Sequence, residues 1–196
     1  MSSIISDNLS NKHAAIHEAG HVVAGWVFGS TINIAELHNE GGGVSFTDFV
    51  PMTEENWFEE LSAMIVDFLS GMTANRLLYG DEIQDDPNVF SYSNRDDVIA
   101  LYKLIDILID HDSITLENHT PNKEEWIGLY LSISSFIIEE YSEQVNLIAE
   151  ELLNKQSLNN GDVIRIIGES PNRLVDEFID IGWDLVKLQM EKTNAL

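Results

Sequence analysis

The sequence predicts a mainly α fold (α+β) with one small β-hairpin, and three observations predict it. Apolar residues recur at helical spacing over long stretches: Trp57, Leu61, Met64, Ile65, Phe68 and Leu69 in one, Val98, Leu101, Leu104, Ile105 and Leu108 in another. Period-2 alternation is confined to two short runs, Thr31–Leu37 and Val44–Phe49, separated by Asn39 and three consecutive glycines. Only four prolines interrupt 196 residues, so long helices meet few breaks. A chain of this length suits a single domain spanning residues 1–196 with a sizeable core.

Taken in order, residues 11–28 read as a helix that starts near Ser10 and Asn11 and stops at Gly29. The two alternating runs then pair as a hairpin, with His38–Gly43 as its loose turn. Pro51 breaks the chain, and Thr53 begins a long helix reaching Gly80. Its Met and aromatic stripe reads as core. An acidic loop, Gly80–Tyr92, precedes a helix opened by Ser93 and Asp96 in a capping-box arrangement. Asp97 directly precedes that helix's apolar stripe, so it faces the buried edge of the first turn. An inward acid needs a partner, and a metal would be one.

His111–Pro121 is a polar connection whose two histidines, His111 and His119, read as surface residues. Asn122 and Glu125 form a second capping box ahead of helical sequence from Trp126 to about Lys155, with a break expected near Glu139–Ser142. Asn159–Asp162 caps a short helix, Val163–Ile167. Pro171 opens a last amphipathic helix with Leu174, Phe178, Ile181, Leu185 and Leu188 on its stripe.

Composition excludes several functions. Without cysteine there is neither a disulfide nor a thiolate zinc site, so a metal here must use His and carboxylate. Ten basic against 34 acidic residues give a net charge of −24, which repels phosphate backbones and anionic membranes. No nucleic acid partner and no membrane association are therefore expected. Met1–Ser10 is polar and short, and no apolar run approaches a membrane span, which makes a cytoplasmic protein the expectation. The acidity itself has three readings: solubility, attraction of basic substrates or divalent cations, and mimicry of nucleic acid. A solvated surface is the simplest of them.

The stretch with chemistry in it is His17-Glu18-Ala19-Gly20-His21. On a helix, residues four apart stack on one face, so His17 and His21 can take adjacent positions around one Zn²⁺. Glu18 projects to the side, within reach of a water on the metal without binding the metal itself. H-E-x-x-H is a zinc-hydrolase motif for that reason, and the apolar run Val22–Phe28 supplies the helical context. The competing reading is a chance pentapeptide on an amphipathic helix. Directly after this helix, an outer hairpin strand could pair with an extended peptide lying over the metal.

The order of motifs resembles the peptidase domain of the FtsH-type zinc proteases, which are membrane-bound and ATP-dependent. His17–Gly25 resembles that family's metal helix, and Gly43–Pro51 its substrate-edge strand. Leu69–Ala74 with Leu77–Gly80 resembles its glycine-containing middle helix, where Asn75 and Arg76 stand in place of an acidic pair. Ser93-Asn94 with Asp97-Val98 resembles the segment that supplies an aspartate as third zinc ligand, with an extra residue or two inserted. Leu147–Ile167 resembles the closing helix–turn–helix. The likeness spans residues 10–168, and 171–196 has no clear counterpart. The stretch matches the peptidase part without an ATPase or membrane anchor, as a free-standing relative would.

The resemblance implies a zinc-dependent metallopeptidase acting on peptides or unfolded protein. His17, His21 and Asp97 would bind Zn, Glu18 would be the catalytic base, and Val44, Ser45, Phe46 and Thr47 would hold substrate as an added strand. Asp96 competes with Asp97 for the third position. Asp97 is preferred because Val98, Leu101, Leu104 and Ile105 continue its face. Glu36 and Glu40 lie near the spacing other zinc peptidases use, but in hairpin sequence rather than on a helix. Two other classes compete: a non-proteolytic binding or regulatory module whose acidic surface takes a basic partner, and a nucleic-acid mimic. An intact H-E-x-x-H argues against the first of these.

Overall fold

The computed structural model describes residues 2–38, 41–46, 53–79, 95–110, 115–116 and 119–194. In chain order the elements are α1 (Ser2–Val27), β1 (Ile32–His38), β2 (Gly41–Phe46), α2 (Trp57–Ala74) with a π-helical extension (Asn75–Tyr79), α3 (Arg95–Asp110), α4 (Lys123–Glu140), α5 (Ser142–Lys155), β3 (Ser157–Leu158), α6 (Asn160–Ile167) and α7 (Asp176–Asn194). The fold is mainly α with a small antiparallel sheet, as the periodicities predict.

α1 is the central helix. Every residue from Ala15 to Val27 is buried, because α2, α5 and the sheet cover it from different sides. A helix enclosed all round has no polar face to show, which explains its weak amphipathic signal. Small residues make the enclosure possible: Gly20 lies against the backbone of Ser70 on α2, and Gly25 against the ring of Phe46 on β2. The helix ends as its sequence predicts. Gly29 adopts φ 79°, its N–H bonds to Trp26 O at 3.2 Å, and Ser30 N–H bonds to Gly25 O at 2.9 Å. That pairing is a Schellman stop.

α1 begins at Ser2, however, eight residues before the expected start at Ser10. Ile5 and Leu9 continue the helical period back from Ile16, and the modest cost of Ser and Asn inside a helix, about half a kcal/mol each, does not interrupt it.

The hairpin pairs β1 with β2, with Ala35 opposite Val44 and Leu37 opposite Gly42. The glycines Gly41–Gly43 expected in its turn lie in β2 instead, where the strand passes close over α1. β3 adds to the other edge of β1, giving the order β2-β1-β3. Two residues are too short a run to betray a strand by alternation. Residues 47–52 lie outside the described residues, as does Glu40.

α2 starts at Trp57 rather than Thr53. Asn56 Oδ1 accepts from the Thr53 backbone N–H at 2.6 Å, holding the preceding residues in a turn. α2 packs on α1, α3 and α4. A buried chain of hydroxyls links it to α4: Ser62 with Tyr130 at 2.7 Å, Ser70 with Ser134 at 3.2 Å, and Ser134 to Thr73 at 2.9 Å. The expected acidic loop and the Ser93 cap lie outside the described residues, as do His111 and the side chain of Asp96.

The expected capping box at Asn122/Glu125 forms, the expected cap at Asn159 proves to be a capping box with Asp162, and the expected break falls at Tyr141 between α4 and α5. His119 is more than a surface residue: its Nε2 lies 2.8 Å from Glu125 Oε2 and its ring stacks on Trp183 at 5.6 Å. It braces the α4 cap against α7. The last helix departs furthest from expectation. It starts at Asp176, and it buries Phe178, Ile179, Trp183 and Val186 in the core, with Val175 buried just ahead of it. Leu174, Ile181, Leu185 and Leu188 of the expected stripe face outward instead, 40–57% exposed. Both faces of α7 are apolar, so periodicity alone could not choose between them.

Candidate metal centre

The site sits where α1 crosses α2 beneath the start of α3. His17 and His21 stack one turn apart on α1, 6% exposed each, with Glu18 beside them at 5%. Gly71 in the last turn of α2 makes the close crossing possible. A β-carbon there would lie 2.5 Å from His21 Nε2 and 2.7 Å from His17 Nε2. A glycine inside a helix costs roughly 1 kcal/mol against alanine, so its presence marks a place where the backbone must leave room. That was the sequence signal for Gly71.

Asp97, in the first turn of α3, closes the cluster. Its Oδ2 lies 3.1 Å from His17 Nε2 and 3.7 Å from His21 Nε2, and the two Nε2 atoms are 3.1 Å apart. Among the described residues, these three form the only His, Cys, Asp or Glu group spaced to hold a metal ion. The distances fit zinc. Ligands at about 2.0–2.1 Å around a tetrahedral ion stand roughly 3.3–3.4 Å from one another, and the observed edges bracket that value. Glu36 does not join the group: it sits on β1, with its Oε2 3.4 Å from His38 Nε2.

The hydrogen bonds set the tautomer of His21. Its Nδ1 lies 2.8 Å from the backbone carbonyl of Asp67, and a carbonyl oxygen can only accept. Nδ1 therefore carries a proton, which in the neutral ring leaves the Nε2 lone pair pointing at His17 and Asp97. Orientation of a metal-facing imidazole by a carbonyl on its other nitrogen is the usual supporting arrangement. Nothing in the sequence announced Asp67, whose nearest contact is a main-chain atom, with its carboxylate Oδ1 3.6 Å from the same nitrogen.

The electrostatics ask for one buried positive charge. Burial pushes His17 below its ordinary value, outweighing its hydrogen bond with Asp97. Burial acts the same way on His21, but hydrogen bonds with Asp67 and Asp97 reverse it, holding the ring well above its ordinary value. Burial would raise Asp97, yet its bonds to the two histidines hold it well below the usual carboxylate range. A divalent cation would meet all three at once, since the imidazole lone pairs and the carboxylate converge on one point. Glu18 is different: burial pushes its carboxyl up to about 7.

β2 lies over Glu18. The backbone of Gly42 comes so near that a β-carbon there would sit 2.5 Å from Glu18 Cγ. β2 is also the outer strand of the sheet on that side. Among the residues expected to hold substrate, Ser45 is exposed, whereas Val44 and Phe46 are half-buried and pack inward. Thr47 lies outside the described residues. Gly42 was not anticipated as part of the site, because three glycines in a row read as a turn.

No family model matches the chain. Curated relatives do. The chain is 26% identical over 198 residues to ATP-dependent zinc metalloprotease FTSH 8, mitochondrial, of Oryza sativa subsp. japonica, covering 85% of this chain and 23% of that protein. It is 28% identical over 194 residues to ATP-dependent zinc metalloprotease FTSH 10, mitochondrial, of Arabidopsis thaliana, with the same coverage. With FTSH 3 of Arabidopsis thaliana the identity is 23%, over 97% of this chain. The chain thus resembles the FtsH-type zinc metalloproteases over most of its own length, as its motifs implied, and spans about a quarter of the length of the relatives it matches. Among the described residues, no helix is long and apolar enough to cross a membrane.

Proposed function

We propose that this protein is a zinc-dependent metallopeptidase that hydrolyses peptide bonds in unstructured peptides or flexible protein segments. The observation that carries the reading is the convergence of His17 Nε2, His21 Nε2 and Asp97 Oδ2, 3.1–3.7 Å apart, with Glu18 alongside. These three residues would hold the ion, which would leave the fourth place around a tetrahedral zinc for water, as catalytic zinc requires. Bound zinc supplies two things, an acidified water and polarisation of the substrate carbonyl. Glu18 would take the proton from the attacking water and return it to the leaving nitrogen, a task that suits a buried carboxylate beside the ion.

Among the described residues β2 pairs along one edge only, which supports the substrate class. An extended peptide would add along its other edge over Val44, Ser45 and Phe46, with Thr47 next in sequence, a mode that demands an unfolded segment. The net charge of −24 favours basic segments over acidic ones at low ionic strength.

A second reading, a binding module with structural zinc, is favoured by the burial of Glu18 beneath β2 and of both histidines against α2. Cleavage of an unstructured protein such as casein separates the two. The wild-type zinc form should cleave, and Glu18→Gln should keep its zinc and lose cleavage. Equal activity in both would remove the proposed mechanism, and a zinc-loaded but inert wild type would favour the binding module.

A further inference from the structure

We propose that Asn75 positions His17 for the metal, its carboxamide oxygen accepting the Nδ1 proton of that ring directly or through one bridging water. The inference rests on the zinc reading above. A histidine that gives Nε2 to a cation carries its proton on Nδ1, and that proton needs an acceptor when buried. His21 has one in the Asp67 carbonyl at 2.8 Å. His17 Nδ1 is buried without a partner, and so is Asn75 Oδ1. The two atoms are complementary, one a donor and the other able only to accept.

The topology brings them to the same place. Gly71 on α2 faces the His17 ring, a β-carbon there falling 2.7 Å from both Cε1 and Nε2. Asn75 lies one turn past Gly71, as the first residue of the π-helical extension, and its Nδ2 pairs at 3.3 Å with Nδ1 of His13, one turn before His17 on α1. The side chain of Asn75 is therefore held on the line of contact that contains His17, and the residue is only 2% exposed. Its amide N–H still bonds back to Gly71 O and Met72 O, but from Asn75 the backbone widens into a π-helix. Such π segments recur at functional sites, where they re-aim a side chain. A polar residue at this depth, tied on its donor side and open on its acceptor side, is built to receive a proton.

The test is zinc affinity, measured by competition with a chromophoric chelator, alongside the melting temperature of the zinc-free protein. Asn75→Leu removes the acceptor at similar volume and should weaken zinc about 10–100-fold, as loss of such supporting groups does elsewhere. Asn75→Asp keeps an acceptor in place and should stay within about threefold of wild type. Wild-type affinity in Asn75→Leu would overturn the proposal. So would an equal loss in Asn75→Asp and Asn75→Leu accompanied by a lower melting temperature, which would mark a packing role. Should the leucine variant fail to fold, nitrogen-15 NMR of the wild-type zinc form decides. A His17 Nδ1 proton protected from exchange supports the assignment, and an unprotonated or freely exchanging Nδ1 refutes it. Failure of the wild type to take up zinc would instead remove the metal reading itself.

Discussion

Gly42 lies directly against Glu18: a β-carbon on Gly42 would stand 2.5 Å from Glu18 Cγ and 2.8 Å from Cδ. The outer strand and the proposed general base are thus fitted to each other through the one residue type without a side chain. Gly42→Ala would also press on the carbonyl of Glu36 across the hairpin, at 2.6 Å, so either the strand or Glu18 must move. Displacing a base by an ångström costs on the order of a hundredfold in rate. Gly42→Ala should therefore keep its zinc content and lose cleavage of an unstructured protein by tenfold or more, on the order that this principle sets. Wild-type turnover in that variant would show the contact to be incidental.

Gly71→Ala acts on the histidines instead. The new methyl would fall 2.5 Å from His21 Nε2 and 2.7 Å from His17 Nε2, within the space where the ligand atoms meet. Overpacking of this kind costs roughly 1–3 kcal/mol, so the melting temperature should fall by several degrees and zinc binding should be lost. Retained zinc at wild-type affinity would mean that α1 and α2 do not cross as closely as described.

Glu18 also leaves a signature in stability. Burial raises its carboxyl from an ordinary 4.5 to about 7 in the folded, metal-free protein. Below 4.5 the group is protonated in both folded and unfolded chains, and its contribution to folding is whole. As pH rises through 7 the folded protein must bury a charge, and that contribution is lost. The loss above pH 7 is on the order of 2–3 kcal/mol. Glu18→Gln should accordingly stabilise the zinc-free protein at pH 8 and leave it little changed at pH 4. Chemical denaturation at the two pH values checks this, and a pH-independent difference would contradict the burial of Glu18.

The third ligand can be tested by substitution. Asp97 Oδ2 lies 3.1 Å from His17 Nε2, so Asp97→Ala should abolish stoichiometric zinc. Asp96→Ala and Glu36→Ala should retain it. Zinc content of the three purified variants decides, and loss in Asp96→Ala alone would transfer the role to the neighbouring residue.

How much of this was legible beforehand follows the range of each signal. Local chemistry read well: the H-E-x-x-H spacing placed two rings on one face, Gly29 stopped α1, and the caps at Asn122 and Asn159 formed. The inward face of Asp97 followed from the stripe behind it, yet its meeting with His17, 80 residues away, depends on how α2 seats α3. Features set by neighbours were hidden. The Ala15–Val27 stretch of α1 is enclosed on all sides, and α7 carries apolar residues on two faces, so only its contact with α4 decided which was buried. Gly42 and Gly71 matter for what their missing side chains admit, and Asp67 acts through its carbonyl. Of these only Gly71, a glycine inside a helix, leaves a trace in the sequence.

The central claim is that two imidazoles and one carboxylate share a single zinc ion, and X-ray absorption at the zinc edge of the purified protein tests it most directly. The account predicts one zinc per chain with only nitrogen and oxygen neighbours at about 2.0–2.1 Å and the scattering pattern of two imidazoles, lost together in a His17→Ala, His21→Ala double variant. A protein that takes up no zinc, or zinc whose spectrum shows no imidazole, would contradict it.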